Sequence, residues 1–276
     1  MSKTLYVSDL DGTLLQPDAR LSAATVKMLN EATASGKLFT VATARTPATV
    51  APILENVVMT MPAIVMTGAA FWDRATGLYS RERLIDSDAA ARLLDAYRRT
   101  GTPTFVYSLS DNMITIRHTG PLDALQRQFL EERTHTPFKS IDIGADGESQ
   151  FPERLDDVIL LYSMVPNAEG ERAFAEIRDI PGVRPQCYHD IYGADTLILE
   201  AFSPEATKAK AMRAMAEMCG ADKIVAFGDN VNDLPMMREA DIAVAVENAL
   251  PEVKEAADIV IGPNTSDAVA KFILDH

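Results

Sequence analysis

Two aspartates separated by a single residue stand in the run Asp9-Leu10-Asp11-Gly12-Thr13-Leu14. On an extended segment, residues two apart point to the same side, so Asp9 and Asp11 can address one substrate from neighbouring positions. Gly12 permits a sharp exit from the segment. Alone, the run also reads as a turn at Asp11-Gly12 with Asp9 as a helix cap. A second acidic cluster, Gly228-Asp229-Asn230-Val231-Asn232-Asp233, lies far along the chain and also follows an apolar run. If both clusters face one crevice, four carboxylates gather there and repel one another. A hard divalent cation with oxygen ligands relieves that repulsion, and Mg²⁺ with several retained waters suits sparse carboxylate ligation better than Ca²⁺. A phosphate ester would then be drawn in by the metal.

Two further residues fit such a ligand. Thr43, at the end of an apolar run, can donate its hydroxyl and a neighbouring backbone N–H to phosphate oxygens, or it can simply cap a strand end. Lys208 supplies the compensating positive charge that an acidic pocket needs to hold both a nucleophile and a phosphoryl group. Lys210 competes for that role, and either lysine can also be an exposed helix residue.

The elements that must position these residues read as alternating strands and helices. Thr4–Ser8, Leu38–Ala42, Ala63–Met66, Ile224–Phe227 and Ile242–Val246 are short apolar runs ending in polar or glycine-bearing turns, the pattern of parallel strands buried on both faces. Ser22–Ser35 reads as a helix stopping at Gly36. Ser203-Pro204-Glu205 reads as the start of another, closing at Gly220. The expected fold class is α/β, a doubly wound, mostly parallel sheet, with both acidic clusters at the carboxyl ends of strands, where ligands bind in open sheets of this kind. The middle of the chain differs, with helical patterns at Ser87–Arg99, Leu122–Arg133 and Glu169–Arg178 and strand-like runs at Thr104–Tyr107, Met113–Arg117 and Val158–Val165. It reads as an inserted α+β unit over 84–195, the core being 1–83 and 196–276.

Length and composition agree with such a plan. The chain has 276 residues, 47% of them hydrophobic and 24% charged, and its 26 basic against 40 acidic residues give a net charge of −14. That charge repels a nucleic-acid backbone or an anionic membrane and argues against both as partners. No apolar run reaches the roughly 18 residues of a membrane span, and the first residues lack a signal-peptide pattern, so a cytoplasmic location is expected. Cys187 and Cys219 are too few and too far apart for a disulfide framework, and the four histidines show no zinc-binding spacing.

In these motifs the sequence resembles the haloacid dehalogenase-like (HAD) hydrolase superfamily, specifically the Cof-type phosphatases with a large α/β cap inserted after the third core strand. The resemblance runs from Asp9-Leu10-Asp11-Gly12-Thr13-Leu14 through Ala42-Thr43-Ala44-Arg45 and Thr207-Lys208 to Gly228-Asp229-Asn230-Val231-Asn232-Asp233, with Asn248-Ala249 and Val253-Lys254 resembling the family's later loop and helix. It implies that Asp9 is the nucleophile forming an aspartyl-phosphate and Asp11 the acid and base. It implies that Asp9, the Asp11 backbone carbonyl and Asp229 bind Mg²⁺, and that Asp233 supports the metal site or orients Lys208. Thr43, Lys208 and Asn232 would hold phosphate oxygens, with Leu10 and Ala44 contributing backbone N–H groups. Two positions depart from the commoner pattern. Ala44 replaces a glycine, and Thr67-Gly68-Ala69 replaces Asn-Gly-Ala, which removes a polar contact near the site.

The activity so implied is a Mg²⁺-dependent phosphomonoesterase acting on a small phosphorylated metabolite, a sugar phosphate first, with pyridoxal phosphate or a nucleotide behind it. A phosphomutase or phosphotransferase would share every core motif, and a non-catalytic metabolite sensor on the same fold would be expected to lose a catalytic residue. The chain itself would be a monomer or homodimer. Substrate identity is expected to lie in the insert, where Arg117, His118, His135, Lys139, His189 and Tyr192 are candidate polar contacts; each reads more simply as a surface or structural residue, and they stand outside the proposed site.

Overall fold

The computed structural model describes residues 3–131, 136–144, 149–190 and 193–276. Strand β1 (Thr4–Ser8) is followed by a tight turn over 10–14, helix α1 (Ala23–Ala34), strand β2 (Leu38–Val41), helix α2 (Pro47–Ile53) and the short strands β3 (Ala63–Val65), β4 (Ala70–Trp72) and β5 (Tyr79–Ser80). The inserted segment carries α3 (Ser87–Thr100), β6 (Phe105–Ser110), β7 (Met113–His118), α4 (Ala124–Glu131), β8 (Lys139–Ile141), β9 (Val158–Pro166), α5 (Asn167–Ile177), β10 (Arg184–Asp190) and β11 (Gly193–Phe202). The chain closes with α6 (Lys208–Cys219), β12 (Lys223–Gly228), α7 (Leu234–Glu239), β13 (Ile242–Val246), α8 (Pro251–Ala256), β14 (Ile259–Ile261) and α9 (Ala268–Asp275).

Two compact units result, 1–81 with 206–276, and 82–205. The second unit runs past the expected end at Asp195 because β11 pairs antiparallel with both β10 and β9 along most of its length. A boundary at Asp195 would cut a strand held on both sides.

The first unit is built on a five-stranded parallel sheet in the order β14-β13-β12-β1-β2. Leu5, Val7, Phe39, Val41, Val225, Phe227, Val244 and Val246 are buried, as continuous apolar strands covered on both faces require. The chain enters at β1, runs outward to β2, and later returns to lay β12, β13 and β14 on the other side. The strand order therefore reverses between β1 and β12, the crevice where such sheets bind ligands. The α/β, mostly parallel fold class is borne out. The third expected strand differs, since β3 belongs to a three-stranded antiparallel sheet with β4 and β5 and touches the main sheet through one bridge, Ala42 to Ile64. The fifth strand of the main sheet is instead β14, a three-residue edge strand.

Helix α1 begins where expected, with the Ser22 hydroxyl accepting from Thr25 N–H. The helix expected from Ser203 starts later. Ser203 Oγ accepts from Glu205 N–H in a local turn, while Thr207 is extended and its hydroxyl accepts from Lys210 N–H, which makes Thr207 the cap and Lys208 the first helical residue. Gly220 closes the helix with φ +64.

The second unit is a six-stranded sheet in the order β10-β11-β9-β6-β7-β8, antiparallel except for β7 with β8. Leu93, Leu94 and Tyr97 of α3 and Ala173 and Ile177 of α5 form a core with Val106, Leu161, Leu199 and Ala201 of the sheet. The structure describes α4 only to Glu131, and the remainder of the expected helix up to Arg133 lies outside the described residues. Among the described residues no helix is long and apolar enough to cross a membrane.

Candidate active site

The site lies within the first unit, on loops leaving the ends of neighbouring parallel strands. Ser8 of β1 stands opposite Phe227 of β12, so the following residues, Asp9 and Gly228-Asp229, emerge side by side. Backbone hydrogen bonds extend this pairing into the loops, with Asp9 N–H donating to Phe227 O at 3.0 Å and Ala42 N–H to Ser8 O at 2.8 Å. The next turn depends on Gly12, at φ +81, where an added Cβ would lie 2.3 Å from Asp229 Oδ2. Only glycine lets the two acidic loops come this close. Thr13 then donates its hydroxyl to Asp229 Oδ1 at 2.7 Å.

Lys208 is the cation at the centre. Its ammonium, 3% exposed, donates to Asp9 Oδ1 at 2.5 Å and to Asp233 Oδ1 at 2.7 Å, from the first turn of α6. The competing Lys210 is exposed. Burial pulls the Lys208 ammonium toward deprotonation, but Asp9 and Asp233 outweigh this and raise its pKa above the ordinary lysine value. Burial pushes Asp9 up to about 7 against the opposing pull of Lys208, with Asp233 and Asp229 adding repulsion. Burial also raises Asp229, against the hydrogen bond from Thr13.

Asp233 is wholly buried, and both of its oxygens are engaged: Oδ1 by Lys208, Oδ2 by the N–H groups of Asp229 and Asn230, each at 3.2 Å. It therefore shapes the loop and holds the lysine. Asp9, Asp229 and Asp233 offer oxygens within 4.8 Å of one another. A cluster of carboxylates whose burial raises two of its members fits a hard divalent cation, which would take up the charge that Lys208 leaves uncompensated. The Asp11 side chain is outside this cluster.

A pocket of about 150 Å³ opens over these groups, lined by Asp9, Asp11, Thr43, Ala44, Lys208, Asn230 and Asn232. Thr43 is buried and its hydroxyl accepts from Arg45 N–H at 3.1 Å, which leaves its own O–H to donate into the pocket. Leu10 is fully buried and its carbonyl accepts from Leu15 N–H. Thus Asp9, Asp11, Thr43, Ala44, Lys208 and Asn232 share one pocket, with Asp229 and Asp233 packed against it through Gly12, Thr13 and Lys208.

Sequence reasoning passed over three participants. Arg45 forms a bidentate pair with Asp11, Nε to Oδ2 at 2.8 Å and Nη2 to Oδ1 at 2.6 Å. Asn230 lines the pocket, and Thr13 supports Asp229. All three lie inside the motif runs, so their placement was signalled and only their partners were hidden. The departure at Thr67 also has a backbone side. Thr67 has φ +57 and ψ +26, a left-handed conformation that a β-branched residue adopts at a cost and asparagine tolerates better. It is held there by Thr67 N–H to Thr43 O and Met66 N–H to Arg45 O, so the strained turn buttresses the phosphate-side loop. In the second unit, Arg117 pairs with Asp142 and His118 is buried with Nδ1 on Gly120 O, while His135 and Tyr192 lie outside the described residues.

The decisive comparison is with protein families. A model described as haloacid dehalogenase-like hydrolase matches residues 6–273. The chain belongs to this family. Among curated relatives of this HAD-like hydrolase, pyridoxal phosphate phosphatase YbhA of Escherichia coli is 26% identical, the alignment covering 100% of this chain and 99% of that protein. The 5-amino-6-(5-phospho-D-ribitylamino)uracil phosphatase YcsE of Bacillus subtilis is 25% identical over 98% of this chain and 94% of its own. Among solved structures, a haloacid dehalogenase-like hydrolase from Bacteroides thetaiotaomicron superposes with a TM-score of 0.76 at 21% identity, covering 98% of each chain. The expectation of a phosphatase of the HAD family is borne out at the level of reaction class.

Proposed function

We propose that the chain is a Mg²⁺-dependent phosphomonoesterase that hydrolyses a small phosphorylated metabolite through an aspartyl-phosphate on Asp9. The observation that carries this reading is the buried Lys208 ammonium bonded to both Asp9 and Asp233 beside Asp229. A nucleophile, its charge partner and a candidate cation site are then within one step of each other.

In the first half-reaction an oxygen of Asp9 attacks phosphorus and the bond to the leaving oxygen breaks. Asp11 gives that oxygen its proton, so the leaving group departs as an alcohol. In the second, Asp11 takes a proton from water, the water oxygen attacks phosphorus, and the bond to Asp9 breaks to release inorganic phosphate and regenerate the carboxylate. Arg45 fixes the Asp11 carboxylate for the base step, and Asp11 turns from the guanidinium to act as the acid. Lys208, the Thr43 hydroxyl and Asn232 bind the phosphoryl oxygens, with the Leu10 and Ala44 N–H groups. Such groups work by position and charge, since little other covalent chemistry is needed. Mg²⁺, held by Asp9, Asp229 and the Asp11 carbonyl, would neutralise phosphoryl charge.

A sugar phosphate is the first substrate class, and the site works in the cytoplasm on this reading. The substrates named for the two curated relatives, pyridoxal phosphate and a phosphorylated ribitylamino-uracil, belong in the same screen. The test is phosphate release from a panel of these compounds with and without Mg²⁺. Release that requires Mg²⁺ and vanishes in Asp9→Asn is expected, whereas full turnover in excess chelator would overturn the metal assignment.

A further inference from the structure

The two acidic loops are tied together by a third loop to which the mechanism gives no part. Asn248, just after β13, donates its Nδ2 to Gly12 O at 2.7 Å. Its Oδ1 accepts from Asn264 N–H at 2.9 Å, and Asn264 Nδ2 donates to Leu15 O at 2.7 Å. Two residues after Asn248, Leu250 N–H donates to Asp229 O at 2.9 Å. One short segment thus grips a carbonyl of the Asp9–Gly12 turn and a carbonyl of the Asp229 loop.

That grip acts where the site has least slack. Gly12 has no side chain to wedge its turn, and its carbonyl is the peptide oxygen next after that of Asp11. The same turn must keep the Gly12 backbone against Asp229 Oδ2 and present Thr13 to Asp229 Oδ1. A shift of a few tenths of an ångström in the turn would change the separation of oxygens from Asp9 and Asp229. Small octahedral cations are sensitive to that spacing, because their coordination distances are short and nearly fixed. The hydrogen bonds of groups around ligating carboxylates commonly tune metal affinity in this way.

We propose that Asn248, braced by Asn264, is a positioning residue that sets the spacing of the two carboxylate loops and thereby the affinity of the site for a divalent cation. The inference rests on the Mg²⁺-dependent reading above. Asn248 touches neither substrate nor metal in this account. The amide is specifically required, because it must donate to Gly12 O and accept from Asn264 N–H at once.

The experiment is calorimetric titration of Mg²⁺ into the wild-type chain and into Asn248→Ala, Asn248→Asp and Asn264→Ala, with circular dichroism to establish that each is folded. Asn248→Ala is expected to weaken Mg²⁺ binding about three- to tenfold, the range of one hydrogen bond. Asn248→Asp, which keeps the acceptor and loses the donor, should weaken it at least as much, and Asn264→Ala by less. At saturating Mg²⁺ the kcat of Asn248→Ala should stay close to wild type, while the Mg²⁺ concentration for half-maximal activity rises by the factor seen in calorimetry. Unchanged Mg²⁺ affinity in folded Asn248→Ala, or in folded Asn264→Ala and Asn248→Asp should the alanine variant not fold, overturns the positioning role alone. Absence of Mg²⁺ binding by the wild-type chain overturns the metal reading on which it rests.

Discussion

Glu200 is a carboxylate with no part in the proposed chemistry, and its surroundings make a quantitative prediction. It lies on β11, 7% exposed, opposite Gln186 of β10 and Tyr162 of β9. Burial pushes it up to about 7 from an ordinary 4.5, against the opposing effects of the Tyr188 hydroxyl and the Arg184 guanidinium. A folded-state pKa above the unfolded one means that the folded protein binds the extra proton. The stability it contributes is therefore full below pH 4.5 and is lost as pH rises through 7. Between pH 5 and pH 8 the loss comes to about 2–3 kcal/mol, from 1.36 kcal/mol per pKa unit over that window. Glu200→Gln keeps an acceptor for Tyr188 and cannot ionise. Hydrogen exchange of the β11 amides, read by mass spectrometry and corrected for intrinsic rates, isolates this unit from the titrating groups of the catalytic one. Wild-type protection should fall by roughly 30- to 150-fold more than that of Glu200→Gln between pH 5 and pH 8, the fold-change equivalent of that energy. Parallel pH dependence in the two proteins would refute the reasoning, because it would mean that Glu200 ionises in the folded unit as easily as in the unfolded one.

Three further outcomes follow from the site. Asp11→Ala should slow single-turnover phosphorylation by a metabolite phosphate by about 10²- to 10⁴-fold and by p-nitrophenyl phosphate much less, since nitrophenolate leaves without a proton; equal slowing of both in rapid-quench experiments would remove the acid role. Gly12→Ala must move a methyl out of Asp229 while holding φ near +81, so Mg²⁺ binding by calorimetry should fall at least tenfold in a chain that still folds; retained affinity would show that the loops can separate freely. Thr67→Asn should raise stability to urea by about 0.5–1 kcal/mol by relieving a left-handed β-branched residue, and an unchanged or lower midpoint would count against backbone strain there.

Much of the first unit was legible because its strands are apolar on both faces and end abruptly. Thr4–Ser8 and Ile224–Phe227 reveal themselves in this way, and the acidic residues that follow them fall at the crevice by topology alone. Ile259–Ile261 escaped notice because it is an edge strand of three residues with Ile259 and Val260 only partly covered, so its apolar run is too short to mark a buried strand. Thr207 was hidden behind Ser203, which carries the same capping chemistry followed by a proline. The strands from Arg184 to Phe202 contain Pro185, Gly193 and polar residues, and the pairing of β11 with β9 is a long-range fact. The same limit applies within the site. The paired acidic runs at Asp9 and Asp229 announce their chemistry, while Thr43 and Lys208 stand out from their simpler readings only beside those runs and through the family resemblance. By contrast, the grip of Arg45 on Asp11 and of Asn248 on Gly12 depends on loops brought together from distant parts of the chain.

The central claim is that Asp9 becomes phosphorylated, and chemical trapping addresses it directly. Borohydride reduces an acyl phosphate to the alcohol, so quenching the enzyme during turnover with a good substrate and Mg²⁺ should convert the side chain at position 9 to that of homoserine. Peptide mass spectrometry locates the change. The account predicts that the modification appears at position 9 only when substrate is present and is absent in Asp9→Asn. Turnover with position 9 unmodified, or trapping at another carboxylate such as Asp11 or Asp229, would contradict it.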